Sequence, residues 1–250
     1  MVKFLRKTAV AGLLLSSFYA NASAPMNVTA QAWLVADKEG QIIEGTHTKE
    51  VRSIASITKL MTVMVVLDAG QSILETIPKK LYGKNLTRLN LIELAMIKSD
   101  NNAAKMLCDF YPTGLEGCVE AMNRKAFTLA MYDTSFTDPT GLFHTNVSTA
   151  QDLIKLVMAA SQYEAIKDAS NKDKVSIPLA KNKQTMFNNT NSLVGKGYDF
   201  IVSKTGWITK SGGCIVMMLD TAHGIRTVVL LGSKNTKTRI PEAKTLALAY

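Results

Sequence analysis

Ser56 and Lys59, three residues apart in Ser56-Ile57-Thr58-Lys59, are the first residues of this chain whose types and spacing could do chemistry. A serine hydroxyl is a poor nucleophile until a neighbouring group takes its proton. On a helix, residues i and i+3 face the same way, so the lysine amine can reach the hydroxyl. An amine desolvated among apolar side chains loses basicity and can accept that proton near neutral pH. Alone, the same four residues also read as a capping serine and a lysine snorkelling to solvent. Forty residues after Lys59 comes Ser99-Asp100-Asn101. Its hydroxyl could relay a proton to a departing amine, and its amide could hold a substrate carbonyl or orient the lysine. As an isolated tripeptide it is an ordinary turn or helix cap. Lys204-Thr205-Gly206-Trp207 sets a cation beside a hydroxyl, which suits a carboxylate, and a glycine lets a ligand backbone approach a strand and pair with it. Each group is weak by itself. If the fold brought them together, they could support acyl transfer through a serine ester, with a substrate carboxylate held by the cation and hydroxyl.

The elements around these groups can be read from pattern. Ala32 to Ala36 is strand-like, Asp37-Lys38-Glu39-Gly40 is a turn, and Gln41 to Glu44 returns as the second arm of a hairpin. Ser56 to Ala69 reads as a helix stopped by Gly70, and it is apolar nearly all round, so it should be buried. A second helix starts with Thr87 as its N-cap and runs toward Ser99, and another spans Ala103 to Cys108. Asn123 to Leu129 is helical, and Ser148-Thr149-Ala150-Gln151 reads as a capping box opening the next helix. Residues 168–192 are polar and form loops or short strands. Three strands follow, Phe200–Trp207, Cys214–Leu219 and Arg226–Leu231, and Pro241 to Ala249 closes as a helix. Strands at both ends with helices between them predict an α+β fold. Its single antiparallel sheet would join the N-terminal hairpin to the C-terminal strands, with helices packed on the faces.

With 47% hydrophobic and 20% charged residues the composition is globular, not disordered. The first 24 residues stand apart: Lys3, Arg6 and Lys7 precede an apolar run from Ala9 to Ala20, and Ala22-Ser23-Ala24 has the small-x-small form of a signal-peptidase site. The run is shorter than the roughly 20 residues a spanning helix needs. Residues 1–24 are therefore expected to be a signal peptide cleaved after Ala24, and 25–250 one exported domain. No transmembrane segment is expected in it, and any membrane association would be loose. The surplus of nine positive charges falls to six once Lys3, Arg6 and Lys7 are removed. Such a basic surface is mostly solvated and favours anionic cell-wall polymer. There is no basic run interleaved with aromatics, so no nucleic-acid partner is expected. Export makes a disulfide plausible chemistry. Three cysteines allow three single pairings, and the favoured one joins Cys108 to Cys118 across a Pro-Gly turn, while Cys214 reads as a buried small hydrophobe. His47, His144 and His223 are far apart and no H-E-x-x-H or C-x-x-C occurs, so neither a metal nor a cofactor is expected.

S-x-x-K on a buried helix, S-D-N at a helix end and K-T-G on a late strand form the set recorded for penicillin-binding proteins and β-lactamases. The stretch Ser53 to Thr62 looks like the active-site helix of low-molecular-mass penicillin-binding proteins, peptidases of the S11 type. Thr137-Asp138-Pro139-Thr140-Gly141-Leu142 with Asn146, and Asn189-Thr190-Asn191, resemble further signatures of that group. The similarity is strongest to its D-alanyl-D-alanine endopeptidases, which cut D-alanyl–diaminopimelate cross-links of peptidoglycan. The resemblance implies a β-lactamase/transpeptidase-like fold and a periplasmic enzyme acting on peptidoglycan stems, with β-lactams as covalent inhibitors. It implies Ser56 as nucleophile, Lys59 as proton acceptor and Ser99 in proton transfer. Asn101, Lys204, Thr205, Gly206 and Trp207 would bind substrate, and the backbone N–H groups of Ser56 and Trp207 would form the oxyanion hole.

Rival readings differ in what they require. A class A β-lactamase needs a glutamate for deacylation in an E-x-x-L-N context some three dozen residues past S-D-N, where this chain has Thr134 to Pro139. A D-alanyl-D-alanine carboxypeptidase uses the same parts, often with an added C-terminal β domain. Only 44 residues follow Gly206, which favours the endopeptidase. The non-enzymatic alternative is a β-lactam or cell-wall binding module that acylates without turnover.

Overall fold

The computed structural model describes residues 28–178 and 183–250, so the expected signal peptide lies outside the described residues. Strands β1 (Ala32–Ala36) and β2 (Ile42–Thr46) form the expected hairpin. Its turn is fixed by Asp37 Oδ1, which accepts from the N–H groups of Glu39 and Gln41 at 3.0 and 2.8 Å. The short β3 (Arg52–Ser53) leads to a 3₁₀ turn over Ala55–Ile57 and then to α1 (Thr58–Asp68), buried from Thr58 through Val66. The helix read as starting at Ser56 thus starts two residues later, and Ser56 sits in the tighter turn that feeds it.

A small hairpin, β4 (Thr76–Leu81) and β5 (Lys84–Thr87), precedes α2 (Arg88–Glu93), where Thr87 and Asn90 cap each other reciprocally. The helix then widens into a π-type turn over Leu94–Lys98 and stops at Ser99, whose φ of 60° is left-handed. Helix α3 (Asn101–Asp109) follows, and α4 (Gly114–Thr128) begins well before the Asn123–Leu129 segment expected from pattern. Cys108 and Cys118 join these two helices through a disulfide with Cα atoms 5.4 Å apart. Next, β6 (Val147–Ser148) pairs with β3, and α5 (Ala150–Ala160) is capped by Thr149 through Asp152 N–H. The cap lies one residue after the Ser148 expected from sequence. Then come α6 (Glu164–Asn171), the hairpin β7 (Lys174–Pro178) and β8 (Gln184–Asn188), and finally β9 (Phe200–Ile208), β10 (Gly212–Leu219), β11 (Arg226–Ser233) and α7 (Arg239–Ala249).

The main sheet runs β2-β1-β11-β10-β9 and is antiparallel throughout. Side chains alternate across a strand. Leu34, Cys214, Val216 and Val229 therefore face the larger core with α1, α3, α4 and α5, while Trp33, Val35, Ile215, Met217 and Leu230 face α7. Both faces are covered, so β1, β10 and β11 read as continuous apolar runs. Among the described residues no strand pairs with the outer edge of β9, which carries Lys204-Thr205-Gly206-Trp207.

Candidate active site

The turn that carries Ser56 is set by close main-chain packing. Ala55 holds a left-handed φ of 46°, and its carbonyl accepts from Thr58 Oγ1 at 2.7 Å. Gly141 presses on the same carbonyl: a Cβ there would lie 1.9 Å from Ala55 O. Gly206 brings β9 in from the other side, where a Cβ would meet Ile54 O at 2.9 Å and Ser56 N at 3.0 Å. Two glycines therefore let two chain segments close on Ser56.

Lys59 is fully buried in the first turn of α1. Its Nζ lies 2.9 Å from Ser56 Oγ, and it donates to Asn101 Oδ1 at 2.7 Å and to the Thr140 carbonyl at 2.6 Å. Burial lowers its pKa to about 7, against a partial upward pull from the Asp138 and Asp100 charges. The two carbonyl-type oxygens can only accept, so they fix two N–H bonds of the neutral amine. Its lone pair is left toward the serine hydroxyl.

The loop that supplies the Thr140 carbonyl is organised by Asp138. Its Oδ1 accepts from the N–H groups of Thr140 and Gly141 at 2.6 and 2.9 Å. Asn146, fully buried, ties that loop to the Ser56 turn: Oδ1 accepts from Thr137 N–H at 2.7 Å, and Nδ2 donates to Thr58 Oγ1 at 3.1 Å.

Ser99 and Asn101 flank Asp100 at the junction into α3. Asp100 Oδ1 caps the helix by accepting from Ala103 N–H at 2.9 Å. Its other oxygen accepts from Tyr82 Oη and from Lys98 Nζ, the latter at 2.9 Å. Burial pushes this carboxyl up, but the hydrogen bonds from Tyr82, Ala103 and Lys98 outweigh it and hold it below the usual range. Lys98 in turn lies over the Tyr82 and Phe187 rings, 4.6 and 4.4 Å from their centroids. Two hairpins distant in sequence thereby meet on the residue preceding Ser99.

On β9, Lys204 is buried and its Nζ donates to Ser99 Oγ at 2.8 Å and to the Thr205 carbonyl at 2.9 Å. Burial, reinforced by the Lys59 and Arg239 charges, pushes its pKa well below the ordinary lysine value. Thr205 Oγ1 donates to Thr190 Oγ1 at 2.7 Å. Trp207 is 48% exposed at the rim. Ser56, Ser99, Asn101, Thr205, Gly206 and Trp207 all line one cleft of about 230 Å³. The eight residues singled out from sequence are thus brought together.

Sequence reasoning missed Arg239 as a member of this cleft. At the start of α7 it is nearly buried, donates through Nη1 to the Gly206 carbonyl at 2.5 Å, and keeps Nε buried without a partner. Among the described residues no carboxylate pairs with it. The Thr140 carbonyl, Asp138 and Thr190 were also missed as site members, although the stretches holding them had been marked by resemblance.

A serine–lysine pair against the free edge of an antiparallel sheet, under a helical layer, is the architecture of the penicillin-binding serine peptidases. The chain belongs to the peptidase S11 family, D-alanyl-D-alanine carboxypeptidase by description, whose model matches residues 19–80 and 76–235. It is 37% identical over 241 residues to a D-alanyl-D-alanine endopeptidase of Escherichia coli, covering 90% of this chain and 78% of that one. It is 34% identical over 230 residues to a D-alanyl-D-alanine endopeptidase of Pseudomonas aeruginosa, covering 85% and 74%. Among solved structures it matches penicillin-binding protein D2 of Listeria monocytogenes in its cefotaxime-bound form, with a TM-score of 0.77 and 25% identity, covering 88% and 96%.

Proposed function

We propose that residues 25–250 form the catalytic unit of an exported DD-endopeptidase that cuts D-alanyl–diaminopimelate cross-links in the cell-wall compartment through an acyl-enzyme. The proximity of Lys59 Nζ to Ser56 Oγ, 2.9 Å, carries the reading, because the amine's other two contacts are acceptors. Ser56 Oγ gives its proton to neutral Lys59 and attacks the D-alanyl carbonyl. The oxyanion is met by the N–H groups of Ser56 and Trp207. As the C–N bond breaks, the proton passes from Lys59 by way of Ser99 to the departing amine. Water then attacks the ester, releases the D-alanyl carboxylate and restores Ser56.

The carboxylate beside the departing amine is held by Lys204, Thr205 and Arg239. Both terminal D-alanine and the cross-linking diaminopimelate carry such a group, so one site serves carboxypeptidase and endopeptidase chemistry alike. The names of the relatives at 30% identity and above support the endopeptidase. A β-lactam amide would enter the same path and leave Ser56 acylated, in keeping with the cefotaxime complex of the Listeria protein.

The test is to incubate the mature protein with labelled penicillin and, separately, with cross-linked muropeptide dimers and free pentapeptide stems, reading products by mass spectrometry. Label on Ser56 and dimer cleavage exceeding trimming of free stems is the expected result, with both lost in Ser56→Ala. Trimming of free stems alone would make it a carboxypeptidase. Acylation without product release would make it a binding module.

A further inference from the structure

We propose a second anion site at the end of the sheet beyond Trp207, formed by Arg52, Lys210 and Lys234, that takes a free carboxylate on the acyl side of the substrate peptide. This inference rests on the endopeptidase reading above. Strand β9 ends at Ile208, and the turn through Lys210 opens β10 at Gly212. Beside that turn lies a hollow of about 180 Å³, framed by Gln31, Arg52, Lys210, Gly212, Gly232 and Lys234. It belongs to no part of the catalytic cluster.

Its charge is one-sided. Lys210 and Lys234 enter no ion pair among the described residues. Arg52 pairs with Glu50 through Nη1, but its Nε is buried with no partner. The other nearby acid, Glu242, is occupied: it accepts from Thr29 N–H and Oγ1 at 3.0 and 2.6 Å and from Ser233 Oγ at 2.7 Å. Gly232 leaves room for the guanidinium, since a Cβ there would lie 3.1 Å from Arg52 Nη2. Two unpaired lysines and a half-neutralised arginine around one polar hollow make a site for a carboxylate-sized anion.

The direction of the substrate brings such an anion there. The carboxylate beside the departing amine sits at Lys204 and Thr205, and the scissile carbonyl faces the Trp207 N–H. The acyl side of the peptide therefore continues past Trp207 along the free edge of β9. An added strand advances roughly 3.3 Å per residue. Residues two or three positions before the cleaved D-alanine then pass the end of β9 at Ile208, where the turn that carries Lys210 begins. A free carboxylate at that point of the stem meets the three cations.

The experiment compares two muropeptide dimers, identical except that the carboxylates upstream of the scissile D-alanine are free in one and primary amides in the other. For the wild-type chain, kcat/KM should favour the free acid by about three- to tenfold, carried by KM, as expected for two partly exposed charge contacts. The double variant Lys210→Gln/Lys234→Gln should lose this preference, and Lys210→Arg/Lys234→Arg should restore it. An unchanged preference in the glutamine variant, or none in the wild type, overturns the site. The same dimers are titrated calorimetrically onto Ser56→Ala, where the affinity ratio should follow the same pattern. If the wild type acylates Ser56 with penicillin but cleaves neither dimer, the endopeptidase reading fails, and the affinity ratio still decides the anion site.

Discussion

Around Lys59 Nζ, two of three hydrogen-bonding directions end on oxygens that only accept, and the third ends on Ser56 Oγ. With its pKa lowered to about 7 by burial, the amine is protonated below that pH and neutral above it. Only the neutral form can take the serine proton, so acylation should rise with pH through about 7. At pH 6 it should run at about a tenth of its plateau. Stopped-flow acylation by labelled penicillin across pH 5–9 measures this, and an inflection near 10 would show that the amine is not desolvated in solution. Asn101→Asp sharpens the test by setting a carboxylate where the amide oxygen now lies, 2.7 Å from Nζ. Its charge should raise the Lys59 pKa by about one to three units and move the whole profile alkaline. The residues legible in the sequence were those whose side-chain types the chemistry demands at fixed spacing: Ser56, Lys59, Ser99, Asn101 and Lys204 to Trp207. The Thr140 carbonyl was not legible, because a main-chain acceptor leaves no mark on residue type. Asp138 escaped because it acts through backbone N–H groups, work that looks like any turn aspartate.

At the scale of elements, the position of Ser56 depends on how closely the 3₁₀ turn, the Asp138 loop and β9 approach one another. Gly141, with φ of 77°, leaves no space for a side-chain atom, since a Cβ would overlap the Ala55 carbonyl. Gly141→Ala must therefore displace the main chain on which Ser56 rides. A displacement of about 1 Å can cost about 100-fold in rate, and the penicillin acylation rate should fall at least that far while far-UV circular dichroism is retained. The disulfide acts on a different pair of elements, α3 and α4, and touches no reacting atom. Closing so short a loop contributes about 2–3 kcal/mol. Reduction, or Cys108→Ala/Cys118→Ala, should lower the urea midpoint accordingly while acylation at 25 °C stays near wild type. The boundaries of these elements were only partly visible beforehand. An apolar run such as Leu94 to Ile97 reads the same whether the turn is α or π, so the widening that delivers Ser99 in a left-handed conformation has no signature in pattern. The start of α1 shifted for a related reason: a serine before a buried helix fits a first turn or a 3₁₀ lead-in equally well.

For the whole molecule, the antiparallel sheet built from both ends of the chain followed from strand patterning, yet the order of its strands did not. Nothing local states that β1 pairs with β11, a contact that depends on both strands being apolar on both faces. That seam has a functional consequence. It places α7 across the sheet so that Arg239, 33 residues after Gly206, reaches the Gly206 carbonyl inside the cleft. A nearly buried guanidinium with no ion pair among the described residues and an unpartnered Nε is costly for the free protein. A carboxylate entering the cleft supplies the missing charge. Arg239→Gln should therefore separate stability from function: its melting temperature should equal or exceed that of the wild type, because a desolvated charge is removed. Its kcat/KM on dimers should fall about 30-fold or more, the loss expected when one partner of a buried charged pair is truncated. A dimer whose carboxylate beside the scissile amide is itself amidated should be cleaved almost equally by both proteins. Parallel loss of stability and activity on both substrates would instead mark Arg239 as a packing residue of α7, with no hold on the substrate.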